Sequence, residues 1–344
     1  MELLENISLK ACNSFGIDVV AKKYATFHSV IELEELVQNA KLHPEASGLN
    51  PKLILGGGSN ILFTNNFDGL VLKNEITGIE VVKEDEDFVY LKTGAGENWH
   101  QFVLHCVENN FAGVENLSLI PGSNGASPMQ NIGAYGVEIK DVFYELEAYQ
   151  LNDESLQTFN LNDCQFGYRE SVFKNKYKGQ FVITSVTYRL NKKPKFNISY
   201  GAIEQELEKM GVQELSIKAI AQAVINIRSS RLPNPSEVGN AGSFFKNPQI
   251  GKTEFQELQQ KHPGVIGFPV GENHFKLAAG WLIEQCGWKG YRKGDAGCYA
   301  KQALVLVNYG NANGEEIFEL SELILQSVKK KFGVLLEREV NVVR

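Results

Sequence analysis

An α+β fold in more than one domain is what this sequence predicts, on three observations. The chain has 344 residues, more than one core ordinarily grows to, and 43% of them are hydrophobic, enough for two or three cores. Short runs rich in β-branched and aromatic residues stand among segments of helical spacing. Between them lies residues 118–136, SLIPGSNGASPMQNIGAYG, which has neither a helical nor an alternating period over most of its length. Its glycines permit positive φ and close approach, and its short polar side chains satisfy neighbouring backbone groups. Ile120, Met129, Ile132 and Tyr135 give it anchors. An ordered loop of this length is expected to carry function, here by wrapping a polar, anionic ligand with its own amides.

Taken in order, residues 29–39 open with Ser29 and place Glu32 three positions later, the signature of a capping box on a short amphipathic helix. The apolar run Leu53, Ile54, Leu55 predicts a buried strand that ends in Gly56, Gly57, Gly58, Ser59, Asn60. Those glycines fit either a tight turn or a concavity of amides for a phosphate. They form neither a Walker A loop nor a dinucleotide GxGxxG, which disfavours a Rossmann fold. Residues 70–73, 79–83 and 88–93 read as strands, and Trp99, Phe102, Val103, Cys106 and Val107 mark a helix leading into the long loop. Residues 142–151 and 181–190 read as strands. Between them stands GYRES, whose Arg169 is either a salt-bridged surface residue or part of a site.

Around Pro194 the clustered basic residues, proline and glycine predict a linker, with Tyr200 beyond it. Ser216 is expected to cap a helix with apolar face Ile217, Ile220, Ala221, Val224 and Ile227, stopping before RSSRLPNP, so that Arg228 and Arg231 fall at or beyond its end. A second glycine-serine loop, GNAGSFFKNP at 239–248, carries Ser243 beside Phe244 and Phe245. Further elements are a helix over residues 277–286 closed by Gly287, a strand over 303–307, a last helix closed by Gly333, and LLEREVNVV as a strand. Period two puts Glu337 and Glu339 on one face of it, at a site or at a solvated edge.

Composition excludes several functions. A net charge of −7 with both signs interspersed leaves no basic stripe for a nucleic acid. No apolar run approaches a membrane span, and the amino terminus has no basic segment followed by an apolar one, which predicts a cytoplasmic protein with no membrane partner. Cys12, Cys106, Cys164, Cys286 and Cys298 are odd in number and show no CxxC pair, and the six histidines show no HExxH spacing. Neither a disulfide framework nor a metal site is expected.

Six ordered segments, GGGSN at 56–60, IPGSNGASPMQNIGAYG at 120–136, GYRES at 167–171, GNAGSFFKNP at 239–248, KLAAGWLIEQCG at 276–287 and LEREV at 336–340, together resemble the UDP-N-acetylenolpyruvoylglucosamine reductase family. The resemblance spans nearly the whole chain. It implies a two-subdomain FAD-binding fold of the vanillyl-alcohol-oxidase/PCMH type over residues 1–195, divided near residue 74. An α/β substrate-binding domain at 196–330 and a carboxyl-terminal strand at 331–344 would follow.

The same resemblance implies FAD as cofactor, NADPH as hydride donor and UDP-N-acetylglucosamine enolpyruvate as substrate, with no obligate protein partner. Cofactor contacts would come from Gly56, Gly57, Gly58, Ser59 and Asn60, from Ser118, Ile120, Pro121, Gly122, Ser123 and Gly125, and from Ile132 and Gly133. Tyr135, Tyr200, Arg231, Asn247, Lys276 and Gln302 would meet the substrate, Tyr200 from a mobile loop in the longer-loop form of the family. Hydride would reach C3 of the enolpyruvyl ether, leaving an enolate. Arg169 suits that charge through its bidentate fork, Ser243 would protonate C2, and Glu339, protonated or paired to Arg169, would assist.

Three departures stand out: Arg231 where the longer-loop form often has Lys, Phe268 in place of a substrate-contacting Tyr, and Asn341 after Val340 in place of Arg. Two rival functions fit the same residues: an FAD oxidase or dehydrogenase of the same fold, and a non-catalytic flavin or nucleotide-sugar binding protein.

Overall fold

The computed structural model describes residues 3–42 and 52–344. The chain divides into two compact units, one of Met1–Ile7, Ala21–Gly57 and Asp68–Ser230, the other of Ser8–Val20, Gly58–Phe67 and Arg231–Arg344.

Among the described residues, the first unit contains two sheets of four and five strands besides one short hairpin. One has four strands in the order Leu4–Ser8, Val20–Phe27, Phe67–Asn74 and Lys52–Leu55, the last two parallel. The helix Val30–Leu42 covers it, burying Leu33, Leu36 and Val37 against Ala25, Phe27, Leu70 and Leu72. Ser29 Oγ accepts the Glu32 N–H at 3.2 Å, but the Glu32 carboxylate reaches back to the His28 N–H at 2.6 Å, one residue earlier than a capping box requires. The other sheet is antiparallel, ordered Ser155–Asn160, Phe143–Gln150, Phe181–Asn191, Phe88–Gly94 and Ile79–Glu84. Against it lies the helix Trp99–Glu108, whose Trp99, Phe102, Val103 and Cys106 recur at i, i+3, i+4 and i+7 and are fully buried.

Two more helices, Gly201–Lys209 and Ile217–Arg231, pack through Ile203, Leu207, Ile220, Val224 and Ile227. The second runs a turn farther than its sequence suggests. Arginine and serine are tolerated in a helix, and the first proline is Pro233, so nothing breaks the chain at Arg228.

The second unit holds an antiparallel sheet ordered Gly239–Ser243, Val305–Asn308, Ala296–Cys298 and Arg292–Lys293. A second sheet is ordered Gln249–Gly251, His274–Leu277 and Gly267–Val270. The helix Gly314–Phe332 begins on a reciprocal cap between Asn313 and Glu316 and ends at Gly333, φ +73°. The strand expected at 303–307 starts at Val305, because Gln302 turns the chain by accepting the Leu304 N–H on Oε1 and the Val305 N–H on its carbonyl. LLEREVNVV is not one strand: only Asn341–Val343 enters a ladder, parallel to Ile61–Phe63, while Arg338 bridges to Phe245. Alternation still decides burial, since Val334, Leu336 and Val340 are inside. Among the described residues no helix is long and apolar enough to cross a membrane.

Candidate active site

The long loop is ordered by burying its polar residues. Ser118, Ser123, Asn124, Ser127 and Asn131 are all buried. Trp99 Nε1 donates to Leu117 O at 2.9 Å, Trp99 N to Gly122 O at 3.0 Å, and Gly125 N to Ala95 O at 2.8 Å. The glycine turn meets this loop backbone to backbone: a Cβ on Gly57 would stand 2.8 Å from Gly122 Cα, and one on Gly56 would collide with Ser123 Oγ. Beside them is a cavity of about 380 Å³ lined by Gly57, Lys73, Gly96, Asn98, Gly122 and Ser123, with Lys73 Nζ bonded to the Gly56 carbonyl. Asn124 Oδ1 is buried in the same loop with no hydrogen-bond partner. The glycine backbone and the lysine that line the cavity fit a cofactor that brings a diphosphate. A somewhat larger cavity in the second unit, about 420 Å³, includes Lys10, Asp18, Asn65 and Asn313 in its lining but none of the expected site residues.

Gly133–Ala134 and Val137–Glu138 form a tight hairpin with Tyr135 and Gly136 at its tip, φ +49° and +81°, the double positive φ that a two-residue turn of this twist needs. Arg169 leans on its base. Its Nη2 donates to Gly133 O at 2.5 Å and its Nη1 to Asn131 O at 3.4 Å, and the guanidinium lies 5.4 Å from the Tyr168 ring centroid. These bonds tie the guanidinium to the backbone at the base of the hairpin. Asn131 ties the base together by donating to Glu138 Oε2 and Gly167 O at 3.1 and 2.9 Å.

Two residues that sequence reasoning passed over hold this region. Arg228 Nε donates to Leu119 O at 3.2 Å, and its side chain also pairs with Tyr135. Burial foremost, with the nearby Arg169 charge, pulls its guanidinium below the usual arginine value, while Tyr135 opposes that. The signal was available: Arg228 is four residues after Val224 on the apolar face of its helix, where a charge needs a reason. Asn116, fully buried, donates from Nδ2 to Tyr135 O at 3.0 Å and to Asn197 O at 2.8 Å. Tyr200, 51% exposed, stands edge-on to Tyr135 with centroids 5.5 Å apart.

In the second unit Ser243 ends its strand opposite Val305, just after Gly242, whose φ of +69° accompanies a register shift. Phe244 and Phe245 are fully buried and anchor the chain as it leaves that strand. Glu339 N donates to Phe244 O at 2.8 Å and Lys246 N to Glu337 O at 2.9 Å, which clasps the Glu339 segment beside Ser243. Glu337 accepts from the buried Lys246 Nζ at 2.6 Å, so it is an ion-pair partner as well as an edge residue. Asn60 Nδ2 donates to Glu339 O at 3.3 Å, and Asn341 Nδ2 to Asn60 O at 3.0 Å, which gives the departure at Asn341 a local task. Gly58, φ +63°, admits no side chain: a Cβ would collide with Cys12 O.

Asn247 and Gln302 converge on the first turn of the helix Ala279–Gln285. Asn247 Oδ1 accepts the Ala279 N–H at 2.9 Å, and Gln302 Oε1 would be 3.0 Å from a Cβ on Gly280. Lys276 lies across its strand pair from Gln249 and from Phe268, which is 52% exposed. Arg231 is the exposed last residue of its helix. Arg169, Tyr135 and Tyr200 thus belong to the first unit, and Ser243, Glu339, Asn247, Lys276 and Gln302 to the second.

Residues 21–159 match an FAD binding domain, and residues 234–343 match the UDP-N-acetylenolpyruvoylglucosamine reductase, C-terminal domain. The chain is 49% identical over 344 residues to the UDP-N-acetylenolpyruvoylglucosamine reductase of Flavobacterium johnsoniae, covering 100% of both chains. It is 45% identical over 342 residues to that of Pseudomonas syringae pv. syringae, covering 99% of both. Among solved structures, the reductase from Thermus caldophilus is similar in fold over 100% of both chains, with a TM-score of 0.66 at 23% identity.

Proposed function

Because this chain belongs to the UDP-N-acetylenolpyruvoylglucosamine reductase family, we propose that Arg169, Ser243 and Glu339 are its catalytic residues. The chain is an FAD-dependent oxidoreductase that reduces UDP-N-acetylglucosamine enolpyruvate to UDP-N-acetylmuramate, a step of peptidoglycan synthesis, with NADPH as donor. The observation that supports the assignment of roles is the backbone clasp between Phe244–Lys246 and Glu337–Glu339, which joins the segment that follows Ser243 to the one that carries Glu339.

Bound FAD supplies hydride chemistry that no side chain can. The protein's own part is to bind, orient and manage charge and protons. Gly56–Asn60, with Ser118, Ile120, Pro121, Gly122, Ser123, Gly125, Ile132 and Gly133, would hold the cofactor. Arg169 carries a permanent charge to the carboxylate end of the enolpyruvyl group, where negative charge develops as C3 is reduced. Ser243 Oγ gives its proton to C2; a hydroxyl is a weak acid, but the carbanion is a much stronger base than an ordinary carboxylate, so the mismatch is smaller than it looks. Glu339 assists, protonated or paired with Arg169 during the transfer. Tyr135, Tyr200, Arg231, Asn247, Lys276 and Gln302 position the sugar nucleotide.

The division into residues 1–195 for FAD and 196–330 for substrate, with 331–344 returning to the site, is part of this proposal; the FAD match at 21–159 lies inside the first part and the C-terminal match at 234–343 runs across the other two. A cytoplasmic location accords with the absence, among the described residues, of a helix suited to a membrane. Following the flavin spectrum of the purified protein tests the reading. NADPH should bleach it and the enolpyruvyl substrate restore it; a protein that cannot be loaded with FAD sinks the proposal.

A further inference from the structure

We infer that His100 is a positioning residue for the cofactor loop: with Arg228 it locks Leu119 in a left-handed backbone conformation that sets the course of the chain into Gly122. The inference rests on the reading that residues 118–125 hold the cofactor.

Leu119 has φ +58°. For a residue with a side chain this region carries a handicap of roughly tenfold in population, because Cβ crowds the backbone, and it persists only when the surroundings over-determine it. Here both polar groups of Leu119 are held from different helices. Its N–H donates to His100 Nδ1 at 3.0 Å, and its carbonyl accepts from Arg228 Nε at 3.2 Å. His100 is the second residue of the helix Trp99–Glu108, whose start is fixed by the Asn98 cap. Arg228 comes from the helix Ile217–Arg231.

The neighbours of Leu119 have little freedom of their own. Before it, Ser118 is buried with its hydroxyl donating to Glu115 O at 2.7 Å. After it, Pro121 has a fixed φ and biases Ile120 toward an extended conformation. Gly122 is then tied through its carbonyl to Trp99 N. Leu119 is therefore the joint at which the stretch can bend, and the two side chains decide which way. Nδ1 accepts only when it bears no proton, so the working form is the neutral ring protonated on Nε2.

The test measures FAD affinity of the apoprotein by quenching of flavin fluorescence, with no turnover required. His100→Ala should bind FAD about tenfold more weakly, and His100→Gln, whose amide oxygen can accept the same N–H, should bind nearly as the native protein does. Adding Leu119→Gly to His100→Ala should restore most of the loss, since glycine enters positive φ without penalty. Native affinity in His100→Ala, or a loss that glycine does not repair, overturns the inference. Should His100→Ala fail to fold, recovery of a folded, FAD-binding protein on adding Leu119→Gly is the same rescue, and its failure overturns the inference equally. Gly57→Val separates this from the loop reading. If that variant, which must collide with Gly122, binds FAD normally, the loop is not the cradle; if it loses FAD while His100→Ala keeps it, only the role of His100 falls.

Discussion

Leu119, Asn131, Tyr135 and Arg169 all lie in the first unit with φ between +42° and +58°, whereas around Ser243 and Glu339 in the second the left-handed positions are Gly58 and Gly242. The first region keeps side chains at strained positions and restrains them with bonds from other side chains to backbone: Arg169 to Gly133 O, Arg228 to Leu119 O, Asn116 to Tyr135 O. The second gives its bends to glycine and places its functional residues on extended chain, held by ordinary backbone pairing. Strain of this kind costs of order 1–3 kcal/mol per residue, so a side chain survives there only where its presence is needed. Substitutions in the first region should therefore disturb structure and chemistry together, and those in the second should disturb chemistry alone.

Ser243→Ala is the sharpest trial of the second half of that contrast. NADPH-driven flavin reduction needs no proton at C2 and should proceed at a near-native rate with FAD retained. Reoxidation by the enolpyruvyl substrate should fall on the order of 100- to 10,000-fold, the usual effect of removing a positioned acid. Ser243→Cys should recover part of it. Stopped-flow absorbance of each half-reaction separates the outcomes; equal slowing of both would make Ser243 structural and erase the contrast.

Arg169→Lys should cost less in rate and more in structure. Losing the fork removes one charge-stabilising geometry, worth roughly 100- to 1,000-fold in the substrate half-reaction. It also withdraws the bonds to Gly133 and Asn131 carbonyls, so the melting temperature should drop as well. A variant as slow as this but with native melting would show that the strained region is not restrained through Arg169.

The same contrast explains what could be read in advance. The helix Trp99–Glu108 was legible from the period of its buried face, and the strands Phe143–Gln150 and Phe181–Asn191 from their β-branched and aromatic residues, because in each the element's own residues dictate it. Glycine signals were legible too: at Gly57 and Gly58 a side chain has nowhere to go. Pairing was not, because a strand's partner lies elsewhere in the chain; LLEREVNVV alternates correctly yet finds a ladder only at Asn341–Val343. The clamps His100, Asn116 and Arg228 were not singled out as site residues, since each acts on a backbone atom that spacing does not reveal. Only Arg228 announced itself, as a cation on an apolar face.

Tyr200→Phe should have a smaller effect, confined to the substrate. The ring would still pack edge-on against Tyr135, so FAD binding and melting should be native. If the hydroxyl meets the sugar nucleotide, apparent substrate affinity should weaken by roughly 1–3 kcal/mol, the cost of one buried partner left unsatisfied. Unchanged affinity in a steady-state titration removes Tyr200 from the site.

The smallest expected effect is a dependence of stability on pH that belongs to the first region. Burial, and secondarily the Arg228 charge, holds the His100 imidazole below its usual value of 6.5, so the folded protein binds fewer protons there than the unfolded chain does. The contribution of its bond to Leu119 is thus complete above about pH 6.5, the free histidine value, and is lost as pH falls through the lower folded value. Glu115 works in the opposite sense: burial raises its carboxyl above 4.5, so the folded state takes up a proton more readily and gains stability as pH falls through that raised value. Comparing melting temperatures of native protein and His100→Gln isolates the histidine, because Glu115 is common to both. The difference between them should be small and flat at neutral pH and should move against the native protein on acidification below pH 6.5. Parallel curves down to the acid limit would mean that His100 does not act on Leu119 as a neutral acceptor.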